Sequence, residues 1–207
     1  MKLMILRNLL LIAVLMCSAL ALFAQHASIK TADGYLHVFN GSPKSFTLEI
    51  SGKTVQTHKV AGNPAFTIDG RLVQVLVVPR ANFDPDRKAK NEEILAAHQR
   101  WEFEYLKKDI FESDLKADIE SITLGERPAI FWSFVRPKYK TEFDRDSFLI
   151  TRFADGIVGL SSPVKIGDEL SGSRDRLSKI LRTVRFSDKP FDIQKLAESI
   201  RKGAPLS

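Results

Sequence analysis

Residues 147–161, Ser-Phe-Leu-Ile-Thr-Arg-Phe-Ala-Asp-Gly-Ile-Val-Gly-Leu-Ser, decide the fold. Two runs of strand-forming residues, Ser147 to Phe153 and Ile157 to Ser161, flank Ala154-Asp155-Gly156. Asp-Gly between two such runs predicts a tight antiparallel hairpin, because both residues tolerate the left-handed backbone that such a turn needs. Pro163 has no N–H to donate and is expected to end the second arm. A second hairpin is predicted just before it, from Ile119 to Leu124 and Ala129 to Val135, about Gly125-Glu126-Arg127. Leu115, Ile119 and Ile122 would also continue a preceding helix, but the β-forming run Ala-Ile-Phe-Trp-Ser-Phe-Val at 129–135 favours the hairpin.

Toward the N-terminus the pattern is again that of strands. Tyr35 to Phe39 is bounded by the turn formers Asp33-Gly34 and Asn40-Gly41, and Phe46 to Ile50 alternates apolar with polar residues. Thr54 to Val60, Phe66 to Ile68 and Leu72 to Val78 follow, the last closed by Pro79. Between these strands and the hairpins, Arg87 to Asp109 has the spacing of a long helix. Ile94, His98, Trp101 and Tyr105 form one stripe, with Glu92 and Glu93 early and Lys107 and Lys108 late, as the helix dipole favours.

Beyond the hairpins, Ser173 is a candidate cap for a helix carrying Leu177, Ile180, Leu181 and Val184. A last helix, Phe191 to Lys202, repeats that spacing with Ile193, Leu196, Ala197 and Ile200, and Gly203 supplies its stop. Strands, a long helix, hairpins and then two helices define α+β: a mainly antiparallel sheet packed against a long central helix and two C-terminal helices.

The front of the chain carries an address. Lys2 and Arg7 precede an uncharged run of 16 residues, Leu9 to Ala24, that ends in Leu22-Phe23-Ala24 before Gln25. A positive end, an apolar stretch and a small-residue exit are the parts of a secretory signal peptide. A membrane-spanning helix needs about 20 apolar residues, so a retained anchor is the lesser alternative. Met16 before Cys17, and the apolar run that continues past it, argue against a lipidated cysteine. Residues 1–24 are therefore expected to be a signal peptide and residues 25–207 a single α+β domain, periplasmic or secreted, with no membrane span after cleavage. Cleavage leaves 183 of the 207 residues and no cysteine, which excludes disulfides, thiolate metal sites and cysteine nucleophiles. Lys2 and Arg7 leave with it and no acid does, so the formal charge falls from +6 to +4. With 29 basic and 25 acidic residues interleaved, that charge reads as a solvated surface, and no nucleic-acid partner is expected.

One family is brought to mind by the turn Gly125-Glu126-Arg127-Pro128 with its strand Ala129-Ile130-Phe131-Trp132, by the run Phe148 to Leu160, and by a helix ending Ile180-Leu181-Arg182-Thr183-Val184-Arg185-Phe186. Over about residues 119–186 the chain resembles small exported proteins of the PsbP-like α/β sandwich, named for an accessory subunit of photosystem II. The long charged helix and the helix after Pro190 depart from that pattern. The resemblance implies a binding or accessory role and brings no shared catalytic residues.

Candidate chemistry is sparse. His98 and Glu102 share a helical face, but two ligands do not make a metal site. His37 and His58 are expected at strand surfaces, and His26 in a flexible tail. Ser162-Pro163-Val164-Lys165 has Ser-x-x-Lys spacing, yet it follows a strand and lacks the companion motifs of penicillin-recognising enzymes. Asn40-Gly41-Ser42 is both a glycosylation sequon and an ordinary turn. Asp144, Asp146 and Asp155 surround one hairpin as solvated turn-makers or as a carboxylate cluster. Arg136, Lys138, Tyr139 and Lys140 form a basic, aromatic loop suited to an anionic glycan or lipid headgroup, or kept soluble by its lysines. No catalytic residue, metal ligand or cofactor is assigned. The expectation is an exported binding or accessory protein, more a binder than an enzyme. A secreted hydrolase assembled only in the fold and a structural envelope subunit are the alternatives, and an envelope protein is a further candidate partner.

Overall fold

The computed structural model describes residues 25–59, 63–111, 113–137 and 141–203. The segment 1–24 that carries the export reading, Val60, and Lys138, Tyr139 and Lys140 of the basic loop lie outside the described residues. All strand pairing is antiparallel, in two sheets rather than one. The smaller sheet has four strands in the order β1-β2-β3-β11: β1 (Gln25–Lys30), β2 (Gly34–Asn40), β3 (Ser45–Ser51) and β11 (Arg185–Ser187). The larger has seven, in the order β4-β5-β6-β10-β9-β8-β7. These are β4 (Val55–Lys59), β5 (Pro64–Ile68), β6 (Arg71–Pro79), β7 (Ala117–Leu124), β8 (Arg127–Val135), β9 (Phe143–Phe153) and β10 (Gly156–Lys165). The helices are α1 (Arg80–Phe83), α2 (Ile94–Tyr105), α3 (Leu170–Arg182) and α4 (Ile193–Arg201). A 3₁₀ turn, Asn91–Glu93, leads into α2, and a π turn, Leu106–Ile110, extends it.

Alternation along the strands of the large sheet sorts their side chains between two cores. Phe131, Leu149, Phe153, Val158 and Leu160 face one way, where the small sheet gives Phe46 and Leu48 and α3 gives Leu177 and Leu181. Ile130, Trp132, Phe148, Ile150 and Ile157 face the other way, under Ile94 and Leu95 of α2. A sheet buried on both faces needs near-continuous apolar strands, and 129–134 and 157–160 supply them. Trp132 is fully buried and stacks on Phe148 at 4.0 Å between centroids. The layers are thus α2, the seven-stranded sheet, then the small sheet beside α3, with α4 against β1.

Both predicted hairpins form, with β7 and β8 joined about Gly125-Glu126 and β9 and β10 about Ala154-Asp155. Pro163 does not end β10, which runs to Lys165 with Pro163 opposite Asp146. Pairing with β6 stops at Ser161, so the missing N–H removes no bond from that ladder. Ser173 is not a cap: α3 begins three residues earlier, and the Ser173 hydroxyl is buried 2.8 Å from that of Ser147. The long helix starts later than its periodicity suggests: Arg87 has φ 53° and Lys90 is extended, at φ −67° and ψ 165°, so helical turns begin only at Asn91. Its buried stripe is also rotated: Ile94, Leu95, His98 and Gln99 are buried, whereas Trp101 and Tyr105 stack on each other at the surface. In α4, Asp192 caps the Lys195 N–H, and Gly203 at φ 69° follows the last turn. Among the described residues no helix is long and apolar enough to cross a membrane.

Candidate functional site

The sequence places its basic contact at the loop after β8, and the fold changes the reading of its first residue. Arg136 points Nε and Nη2 at the two oxygens of Asp146, both at 2.7 Å, and its guanidinium lies 5.5 Å from the Phe143 ring centroid. Two parallel charge-assisted bonds occupy the fork of that side chain. Arg136 is a brace between β8 and β9 rather than a free cation. Asp146 is thereby used, and Asp155 is at the other end of β9, in the turn, 2.6 Å from Arg87. The three aspartates therefore do not gather into a carboxylate site.

The histidines divide. His58 is exposed and bonded to the Thr67 hydroxyl at 2.7 Å, as a strand-surface residue should be. His37 is not at the surface: it is fully buried, among Phe46, Phe66 and His26. His26 is not in a tail, because β1 pairs along β2 and brings its ring 5.3 Å from that of His37. Ser28 Oγ lies 3.3 Å from His37 Nδ1, and His37 Nε2 lies 3.2 Å from His26 Nδ1. The order hydroxyl, imidazole, imidazole is that of a nucleophile, a base and an orienting group. Burial, with the His26 charge as a lesser cause, pushes His37 down to about 3. His26 and Ser28 are exposed and only the ring between them is fully buried, so these contacts tie the edge strand β1 to β2 over a neutral core imidazole.

His98 and Glu102 do meet, one turn apart on α2, with Nδ1 and Oε2 3.7 Å apart and both side chains turned from solvent. Burial lowers His98 to about 4 and raises Glu102 to about 7. Neither His98 nitrogen has a hydrogen-bond partner among the described residues, and neither does Glu102 Oε2. Among the described residues no three of His, Cys, Asp and Glu are gathered to hold a metal ion. Ser162 donates to the Leu72 carbonyl at 2.7 Å from within a strand, not from a helix start. Asn40 spends its amide on Phe191, donating to its carbonyl and accepting from its N–H, each at 2.8 Å. That side chain is a latch between β2 and the approach to α4.

A basic surface that the sequence reading passed over lies on α3 and just after it. Residues 170–189 hold six basic residues, Arg174, Arg176, Lys179, Arg182, Arg185 and Lys189, and two acids, Asp175 and Asp188. That net +4 equals the formal charge of residues 25–207 as a whole, so the rest of the domain is balanced. A groove of about 420 Å³ runs between α3 and β7, the edge strand of the large sheet, lined by Ile122, Thr123, Ser178, the cations Arg174, Lys179 and Arg182, and one acid, Asp175. Arg174 reaches across it to Glu120 at 3.0 Å. Lys179 and Arg182 are exposed in the last turn of α3, where the helix dipole favours positive charge. Arg127 closes the end by donating to the carbonyls of Leu181, Arg182 and Val184. A charge count along the amphipathic spacing of α3 is the signal that marks this surface.

No family model matches the chain, and no curated protein matches it.

Proposed function

We propose that this is an exported binding or accessory protein that takes an anionic partner, a glycan or lipid headgroup of the cell envelope, along α3 and the α3–β7 groove. The observation that carries the reading is the concentration of the whole net charge of the domain in residues 170–189. A surplus of positive charge over the acids Glu120 and Asp175 beside it steers and holds an oppositely charged surface. The apolar segment 1–24, with its basic start and small-residue end, supports export. The PsbP-like resemblance supports an accessory role over a catalytic one.

The test is binding of the purified protein to phosphatidylglycerol vesicles, to polygalacturonate and to neutral phosphatidylcholine vesicles over a salt series. Binding to one of the two anionic probes, weakening with salt, is expected, with affinity falling about tenfold in Lys179→Gln/Arg182→Gln, roughly 0.7 kcal/mol for each charge removed. Equal binding by parent and double variant overturns the assignment of this surface. Mass analysis of the extracytoplasmic fraction is expected to find a chain lacking residues 1–24.

A further inference from the structure

At one end of the sandwich the β2–β3 connection, α1 and the β9–β10 turn enclose a second cleft, of about 240 Å³, which shares no residue with the α3 surface. We propose that this cleft binds a small carboxylate with an apolar body. Its walls are apolar, from Phe39, Val77, Phe153 and Ile157; Arg80, Arg87 and Asp155 meet at one side, with Ser42 and Lys44, the latter paired with Asp188, on the β2–β3 connection. Few polar groups converging on an apolar concavity is the usual build of a small-molecule site. The volume is below the range of about 300–1,000 Å³ that drug-sized ligands occupy, which limits the ligand to a short chain or a single ring.

The arginines supply the recognition. Arg80, the first residue of α1, is buried, with Nε 2.8 Å and Nη2 2.7 Å from Asp84 Oδ2. Its Nη2 also donates to the Ala89 carbonyl at 2.6 Å. The third nitrogen, Nη1, makes no hydrogen bond among the described residues; Asp155 Oδ1 lies 3.8 Å from it, beyond bonding distance. The guanidinium is thus fixed by two neighbours and keeps donors unspent on the side toward Asp155. Arg87, largely exposed, reaches Asp155 Oδ2 at 2.6 Å. A ligand carboxylate that takes over from Asp155 would accept from Arg80 Nη1 and Arg87 together, while its apolar part lies against the phenylalanines.

Backbone strain is placed here too. Arg87 at φ 53° and Ala154 at φ 51° are two of the three non-glycine residues with positive φ among the described residues, and both line this cleft. Such outliers persist where the surroundings hold them, and they cluster at ligand sites. Gly156 contributes by having no side chain: a Cβ there would overlap the Val78 carbonyl oxygen, so β10 can close on β6 beside the turn.

Titration of the purified protein with octanoate, followed by methyl NMR of Val77, Val78 and Ile157, tests the site. Saturable shifts are expected with octanoate and not with octan-1-ol at the same concentration. Arg87→Gln should weaken binding at least fivefold, and Ala81→Phe, on the exposed side of α1, should block it. Asp155→Asn should tighten binding, because it removes the competing carboxylate; a purely structural ion pair predicts no gain. Lys179→Gln/Arg182→Gln should leave octanoate binding unchanged, which separates this proposal from the α3 surface. Absence of saturation, equal shifts with the alcohol, or no change in Arg87→Gln overturns it.

Discussion

Glu102 Oε2 faces His98 Nδ1 across 3.7 Å on the inner side of α2, and burial moves the two groups in opposite directions. Glu102, raised from 4.5 to about 7, holds its proton in the folded state over a range where the unfolded chain has lost it. Between those values the native state binds more protons, so this group makes stability fall as pH rises. His98, lowered from 6.5 to about 4, does the reverse: the unfolded chain binds more protons between those values, and stability rises with pH. The two slopes cancel where their windows overlap. Replacing Glu102 with Gln removes only the falling part. The stability of the variant relative to the parent should therefore climb from pH 4.5 to 7, by up to about 3 kcal/mol. Urea titrations of both proteins at several pH values measure it, and parallel curves would reject the burial account.

His37 gives an acid-side prediction. Its ordinary value is 6.5 and burial takes it to about 3, so its contribution is complete above pH 6.5 and is lost as pH falls toward 3. The imidazole should remain neutral by NMR at pH 5. A His37 resonance that titrates about the ordinary value of 6.5 would contradict its place in the core.

Arg136 and Asp146 are both partly buried and bonded through both nitrogens, so their pair should exceed the worth of an exposed ion pair. Arg136→Gln is expected to cost about 1–2 kcal/mol in urea unfolding, and a double-mutant cycle with Asp146→Asn should recover a coupling of about 1 kcal/mol. A loss below about 0.3 kcal/mol would return Arg136 to the solvated loop of the sequence reading.

Gly159 lies where a Cβ would come within 2.7 Å of Ile150 Cγ2 and 2.9 Å of the Leu149 carbonyl oxygen. Gly159→Ala should therefore destabilise the β9–β10 ladder by about 2 kcal/mol, as overpacking in a core does. Gly172, whose Cβ would meet nothing, is the control on α3, where alanine is expected to be neutral or stabilising.

Asn40 holds the approach to α4 by two hydrogen bonds, and α4 itself has no buried residue. Asn40→Ala should raise amide exchange in 193–201 while leaving the β9–β10 ladder protected. A uniform increase across the domain would show that α4 belongs to the same cooperative unit.

The sequence was most legible where pattern and chemistry agreed. The hairpin about residues 154–156, the alternation at 46–50 and the spacing at 177–184 all specify elements that form, although the turn falls on Ala154-Asp155, one residue before the Asp-Gly pair. It was least legible where tertiary pairing decides. Gln25–Lys30 has no strong strand signal and is a strand because β2 offers an edge, and the same holds for the three residues of β11 beside β3. His37 faces the core because the large sheet covers that face of β2, where Phe66 meets its ring, and a strand read alone does not show what lies against it. Pro163 was misread because a proline's cost depends on whether a neighbour still waits for its N–H. The Arg136 loop drew attention as a dense basic cluster, but its countercharge, Asp146, is ten residues away and becomes visible only through the β8–β9 register. The α3 charge needed no structure; it needed counting over a helix rather than over adjacent residues.

Residues 170–189 carry a net charge of +4, so α3 and the chain just after it form a positively biased side of the molecule. In dilute electrolyte, a body with that asymmetry turns in the field of a negative surface before it arrives, so its heading on contact is chosen at a distance. Raising ionic strength would then scramble the heading before it abolishes attachment, and the face left toward solvent would be free to meet something else.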